Sequence, residues 1–163
     1  MNPAESVAAA LGDPIARSAL ARWLQSGWVF PIVESLHIVS FALLLGAIAV
    51  VDVRLMGGLR HTAVAPLLRS ALPVALAGFC AAVLTGTLLF VSNAGELLAN
   101  RAFGIKLGLL SFAGLNAAWF HASAVKAALE DTGPPTRMMR VAGASSLLVW
   151  VATVFAGRLI AYV

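Results

Sequence analysis

A carboxylate and an imidazole stand three residues apart in the first strongly apolar stretch of the sequence, at Glu34 and His37. Residues three apart are neighbours on a helix surface, so the two groups could exchange protons together, and His37 could also ligate a metal. Further polar candidates lie inside later apolar stretches: Lys106, Asn116, Arg158 and Tyr162. Such a set predicts a site that moves protons or binds an anionic or carbonyl group.

The composition shows why charged side chains inside these apolar stretches require an explanation. Hydrophobic residues make up 61% of the 163-residue chain and charged residues only 11%. An average soluble domain is about 45–50% apolar and about 25% charged. On insertion scales a charged side chain at the bilayer centre costs about 2.5–3.5 kcal/mol. We therefore predict an integral membrane protein whose buried charges serve a function or hold helices together.

Four apolar stretches are long enough to cross a bilayer, which takes about 20 residues each. They are predicted at about 28–51, 71–92, 102–125 and 141–162. The connections are short, so neighbouring helices should be antiparallel, and about 14–26 is predicted to be a short amphipathic helix in the membrane interface. The expected fold class is all-α, a single transmembrane domain over 1–163. It is an up-down four-helix bundle with a short N-terminal interfacial helix.

The basic residues predict an orientation. The first and third loops carry Arg54, Arg60, Arg69, Lys126, Arg137 and Arg140, against Arg17, Arg22 and Arg101 on the other side. The positive-inside rule then places both termini outside, in the periplasm for a bacterial inner membrane. In this orientation Glu34, Lys106 and Arg158 share the outer half of the bundle, with His37 one turn deeper.

The polar layer has more than one interpretation. Glu34 can form a structural ion pair with Lys106 or Arg158, or the layer can be a ligand or proton site; the two cations can also extend to the interface. A bis-histidine haem between His37 and His121 is disfavoured, because at 1.5 Å per residue the two lie about 15 Å apart along the membrane normal. At the inner end of the first span, structural ion pairs are predicted for Asp52 and Arg54.

Small residues recur along the third and fourth spans and permit close helix contact inside the bundle or between subunits. They are Gly104, Gly108 and Ser111, and then Gly143, Ser146, Thr153 and Gly157. The expected partners are the lipid bilayer and a second copy or a larger membrane complex. Nucleic acid is not expected, because the basic residues sit beside apolar spans as in ordinary membrane loops.

Five runs of the sequence are distinctive: W-V-F-P-I-V-E-S-L-H-I, L-L-L-G-A-I-A-V-V-D-V-R-L-M-G, L-T-G-T-L-L-F, F-G-I-K-L and A-G-R-L-I-A-Y. They resemble a family of small bacterial four-helix inner-membrane proteins, a domain of unknown function. The resemblance implies a four-helix membrane fold but no activity. It singles out the positions that match the family's motifs: Glu34, His37, Asp52, Arg54, Lys106, Asn116 and Arg158. More distantly, the layout is similar to b-type cytochromes and copper-resistance membrane proteins, whose haem-spaced histidine pairs this chain lacks.

The leading hypothesis is a redox-linked membrane subunit that binds a quinone or a b-haem at the outer polar layer. Glu34 and His37 would exchange protons or ligate, Lys106 and Arg158 would bind an anionic or carbonyl group, and Tyr162 would orient it. A proton-coupled transporter or channel component, with Glu34 and His37 as the relay, is an alternative of another class. A structural or assembly subunit without a cofactor is the third.

Overall fold

The computed structural model describes residues 3–123 and 135–162. This part of the chain forms seven helices and no strand, which confirms the predicted all-α class. The helices are α1 (Pro3–Ala16), α2 (Ala19–Leu24), α3 (Val29–Leu55), α4 (Val64–Ser92), α5 (Ala94–Ala99), α6 (Arg101–Ser123) and α7 (Arg137–Leu159).

Four of these helices are long and apolar enough to cross a membrane: α3, α4, Arg101–Phe120 of α6, and α7. The shortest of them, at 20 residues, is about 30 Å long, the thickness of a hydrocarbon core. Large apolar side chains such as Leu84, Leu115 and Leu148 cover the outside of the bundle. Contact with lipid requires such an apolar outer surface. The chain is therefore a multi-pass membrane protein.

The spanning helices pack in the order α4, α3, α7, α6, with α3 and α7 in the middle. Glycine residues allow neighbouring helices to approach each other closely. A Cβ on Gly78 of α4 would lie 2.8 Å from the Leu44 nitrogen of α3, and a Cβ on Gly143 of α7 would lie 2.9 Å from the Asp52 carbonyl oxygen. Helices α4 and α6 do not pack closely in the described part of the chain. They touch at one end, where the rings of Phe90 and Phe103 stack with centroids 5.8 Å apart.

The two predicted small-residue stripes lie in different environments. On α7, Ser146 and Thr153 are buried, and this stripe packs inside the bundle. On α6, a Cβ on Gly104 or Gly108 would meet nothing within 4 Å, and Ser111 is exposed. The α7 stripe therefore supports helix contact within one chain, while association of copies through the α6 stripe stays a prediction.

The N-terminal segment differs from the predicted interfacial helix at 14–26. Helix α1 continues through Pro14 to Ala16, and α2 begins separately at Ala19. The break has a local cause: the Ser18 hydroxyl accepts a hydrogen bond from the Ala21 amide at 3.1 Å, which caps a new helix. Helix α1 packs along α5, where Gly12 lies directly against Gly95.

Two spanning helices begin earlier than the apolar stretches suggest. Helix α4 starts at Val64 rather than near 71, and Pro73 lies inside it rather than in its first turn. Helix α7 starts at Arg137 rather than near 141, because the Thr136 hydroxyl accepts a hydrogen bond from the Met139 amide at 3.3 Å. Hydropathy finds the lipid-facing length of a helix, whereas caps decide where it begins.

Candidate functional site

The bundle has two ends that differ in character. At the α5 end, α3 and α6 begin and α4 and α7 finish, and the short helices α1, α2 and α5 lie there. The Gln25 side chain donates to the Ser92 carbonyl at 2.5 Å, and the Asn100 amide donates to the Ile160 carbonyl at 3.0 Å. The other end carries the turn between α3 and α4 and is called the loop end. Candidate residues occur in both halves of the bundle.

His37 is fixed between α3 and α4 in the half nearest α5. Its Nδ1 lies 3.0 Å from the Thr85 hydroxyl oxygen. That hydroxyl also lies 2.7 Å from the Ala81 carbonyl, to which it can donate its one hydrogen, and it then accepts from Nδ1 of His37. His37 also forms a hydrogen bond with the Ala82 backbone. We therefore assign the imidazole hydrogen to Nδ1, which leaves on Nε2 a lone pair that can accept a proton or ligate a metal.

A glycine makes room for this imidazole. A Cβ on Gly86 of α4 would lie 3.0 Å from Cε1 of His37 and 3.5 Å from its Nδ1. A larger residue there would push the ring away from Thr85. In the L-T-G-T run of α4, Thr85 thus provides the hydrogen-bond partner of His37, and Gly86 leaves space for its ring. The sequence showed this run but gave no reason to connect it with His37.

Lys106 approaches the same region from α6. Its side chain is half-buried and lies along Gly157 of α7, where a Cβ would be 3.4 Å from Nζ and 3.7 Å from Cε. It lies close enough to His37 for the two groups to interact electrostatically. Among the predicted site residues, His37 and Lys106 are thus the two whose charges influence each other, although no hydrogen bond joins them in the described part of the chain.

The other three members of the predicted layer lie outside this pair. Glu34 is exposed on α3, and in the described part of the chain it forms no ion pair with Lys106 or Arg158. Arg158 donates to the Tyr162 hydroxyl at 2.7 Å, and its guanidinium lies 5.0 Å from the centre of that ring. These two exposed residues bind each other across one helical turn, as residues four apart can.

Asn116 belongs to the opposite half of the bundle. It lies ten residues after Lys106, about 15 Å further along α6. Its amide donates to the Ala142 carbonyl at 3.4 Å, and its side-chain oxygen accepts from the Ser145 hydroxyl at 3.2 Å. Asn116 therefore ties α6 to α7 and does not join His37.

The ion pairs predicted for Asp52 and Arg54 do not occur in the described part of the chain, where the one salt bridge joins Arg17 to Asp13. Asp52 is only 4% exposed, and its Oδ2 accepts no hydrogen bond. Arg54 is also buried, and its Nε donates to the Thr62 carbonyl at 2.6 Å. Side chains two positions apart on a helix are separated by about 200° around its axis. Arg54 therefore bonds to the loop that follows α3, whereas Asp52 faces the other helices.

A metal site built from several protein ligands is not present in the described residues, which contain no group of three or more His, Cys, Asp or Glu side chains close enough to hold an ion. A metal ion bound at His37 would therefore have that histidine as its one ligand among the described His, Cys, Asp and Glu side chains. The side chain of His121, weighed above as a haem partner, lies outside the described residues.

Comparison with known proteins adds no relative to this picture: the chain matches no protein-family model, no curated protein and no solved structure.

Proposed function

We propose that this protein is a redox-linked membrane subunit that binds a quinone headgroup between His37 and Lys106 and exchanges a proton with it. One observation carries the proposal: Nδ1 of His37 lies 3.0 Å from the Thr85 hydroxyl, which is itself 2.7 Å from the Ala81 carbonyl. We infer that the imidazole hydrogen is held on Nδ1, which leaves the Nε2 lone pair for a ligand, with the charge of Lys106 in the same region. The setting we propose is the bacterial inner membrane with both termini on the periplasmic side, on the basis of the loop charges.

The pair matches the two hydrogen-bonding states of such a headgroup. The Lys106 ammonium can donate to a carbonyl oxygen, and His37 Nε2 can accept from the hydroxyl of the reduced form. Lys106 would also stabilise the negative charge that develops on the oxygen during reduction, because a fixed cation in a low-dielectric site acts strongly on nearby charge. The bound quinone supplies the electron-accepting chemistry, and the protein supplies orientation and a proton acceptor.

The half-buried position of both side chains supports a lipophilic ligand. His37 and Lys106 are only partly exposed, and the helices around them are apolar on their outer faces. Glu34, exposed on the same helix one turn from His37, could carry protons to or from the pair. Its role in this scheme is proton supply and not ligand contact.

A b-haem would use the same lone pair. His37 would hold its iron through Nε2, with the Nδ1 hydrogen held by Thr85 as metal-bound imidazoles usually require. The Lys106 ammonium favours the quinone, whose carbonyl oxygen it can pair with directly beside His37.

The test is binding of decylubiquinone, a short-chain quinone, to the purified protein in lipid nanodiscs, followed by calorimetry. We expect saturable binding that weakens about tenfold in His37→Gln and in Lys106→Met, the effect of losing roughly 1.4 kcal/mol. The control is His61→Gln, because His61 is an exposed histidine in the turn between α3 and α4. Equal binding by all four proteins would overturn the proposal, and a Soret band in the wild-type spectrum that His37→Gln removes would assign the site to haem.

A further inference from the structure

A second polar group lies in the loop half of the bundle, inside a cavity of about 110 Å³ that all four spanning helices line. Its wall is mainly aliphatic, with Phe120 and Trp150 as aromatic members and Asp52, Asn116 and Ser146 as polar ones. An engineered apolar cavity of about 150 Å³ holds a benzene molecule. The space is thus on the scale of one small ring.

Asp52 is the unusual member of this wall. It is 4% exposed, its Oδ2 accepts no hydrogen bond, and Ser146 is the polar side chain that faces it. Asn116 is already bonded to Ala142 and Ser145. An isolated carboxylate is too costly in apolar surroundings, so it must carry a proton or meet a positive charge.

The described protein supplies no such positive charge. Asp52 is the one titratable side chain among the described residues of the cavity wall, and α4, α6 and α7 contribute none. On its own helix, Arg54 donates its Nε to the Thr62 carbonyl. Arg69 of α4 and Arg140 of α7, at the same end of the bundle, are exposed. Within the described part of the chain, a proton is therefore what neutralises Asp52, and a cation that entered the cavity could take the place of that proton.

The cavity is accessible from the side. Helices α4 and α6 both line it and are the neighbours that do not pack closely in the described part of the chain. The Phe90–Phe103 stack closes the same seam at the α5 end. We infer an entrance between α4 and α6, which in a bilayer would face the hydrocarbon and select molecules that dissolve in lipid.

We propose that this cavity binds a small lipophilic cation, an arylalkyl amine in its protonated form. The ammonium pairs with the Asp52 carboxylate, and the ring packs against Trp150 and the aliphatic wall, where aromatic faces also attract cations. When the cavity is empty, Asp52 holds a proton. Binding exchanges that proton for the ammonium: the carboxyl group releases one proton to solvent, and the carboxylate and ammonium that remain are together neutral.

This site is separate from the quinone site. Asp52 lies fifteen residues beyond His37, about 22 Å along α3. Proton and amine compete for one carboxylate, so each can occupy the cavity only when the other leaves. Such competition is the requirement for coupling movement of the amine to movement of a proton.

The experiment compares benzylammonium with benzyl alcohol, a neutral molecule of similar shape, by calorimetry on the full-length protein in nanodiscs. Titrations in two buffers of different ionisation enthalpy give the number of protons released. At pH 6, we expect benzylammonium to bind at least tenfold more tightly than benzyl alcohol and to release close to one proton per molecule bound. Equal affinity for the two molecules, absence of benzylammonium binding, or binding without proton release would each overturn the proposal.

Variants test whether Asp52 is the group that binds benzylammonium and releases the proton. Asp52→Asn keeps the shape of the side chain and should abolish both the preference for benzylammonium and the proton release. His61→Gln and His37→Gln should leave both intact, because His61 is exposed in the turn between α3 and α4, and the second also separates this site from the quinone site. Proton release that persists in Asp52→Asn would refute the assignment.

A second pair of variants covers the case in which Asp52→Asn does not fold. Ala71 of α4 lines the cavity, and Ala77 is exposed on the same helix. Ala71→Leu should fill the space and weaken benzylammonium binding at least tenfold, whereas Ala77→Leu should have no effect. Similar binding by the two variants would show that benzylammonium binds elsewhere.

Discussion

The Nδ1 atom of His37 lies 3.0 Å from the hydroxyl oxygen of Thr85, a hydrogen bond that joins α3 to α4. Because the Thr85 hydroxyl donates to the Ala81 carbonyl, this one contact decides which ring nitrogen of His37 faces a ligand. The proposed chemistry therefore depends on a threonine that touches neither the ligand nor Lys106.

Thr85→Val should change the tautomer of His37. Valine keeps the shape of threonine but cannot accept the Nδ1 hydrogen, so the lone pair is no longer held on Nε2. We expect quinone binding to weaken about three- to tenfold, the effect of one hydrogen bond of about 1 kcal/mol. Nitrogen NMR of histidine-labelled protein, with the His37 signals assigned through His37→Gln, should show a hydrogen on Nδ1 in the wild type and a mixture in the variant.

The control for that experiment is Thr87→Val. Thr87 lies two residues further along α4, is exposed and also donates to a backbone carbonyl, that of Val83 at 2.8 Å. It should leave the His37 spectrum and quinone binding unchanged. A wild-type signal from an Nε2 hydrogen would contradict the proposed role of Thr85.

Gly78→Ala should destabilise the bundle. The added Cβ would lie 2.8 Å from the Leu44 nitrogen and 3.0 Å from the Ser40 carbonyl oxygen, both backbone atoms that cannot move away singly. We expect the free energy of unfolding to fall by about 1–3 kcal/mol, as for other overpacked contacts. Gly46→Ala is the matched control, since a Cβ there meets nothing within 4 Å. It should be neutral or stabilise α3 by up to about 1 kcal/mol, as measured by unfolding in detergent.

Glu34→Gln should leave the stability of the bundle unchanged to within about 0.5 kcal/mol, as for other exposed side chains. Glu34 is exposed and forms no ion pair with a described residue.

Asn116→Leu should be less stable by about 0.5–2 kcal/mol, because it removes two hydrogen bonds between α6 and α7. Unfolding curves for both variants test the structural alternative, in which Glu34 holds the helices together: a marked loss of stability in Glu34→Gln would support that alternative.

The orientation of the chain can be tested with reporter fusions. Alkaline phosphatase is active only outside the cytoplasm, so a fusion after Tyr162 should be active and one in the turn between α3 and α4, near His61, should be inactive. The physical reason is the larger number of arginine and lysine residues in the first and third loops. Activity in the opposite pattern would place both termini in the cytoplasm.

Some features of the site followed from the sequence because depth along a helix is a matter of counting residues. Glu34, His37 and Lys106 fall in one half of the bundle by their distance from the helix starts, and Asn116 could have been assigned to the other half by the same count. The direction of each side chain is different. Glu34 and His37 are only about 60° apart around α3, yet one faces outward and the other packs on Gly86.

The sequence by itself determined the class of molecule, four membrane-spanning helices, because long apolar stretches have no other stable place than lipid. Only the tertiary structure decided which polar groups meet. Helix rotation put His37 beside Thr85, directed Arg54 to the Thr62 carbonyl and left the Oδ2 atom of Asp52 without a hydrogen bond among the described residues. The separation of α4 from α6 opened the cavity at Asp52. Hydropathy contains no information on these rotations, since lipid accepts any apolar face, and close helix contacts at single glycines select among them.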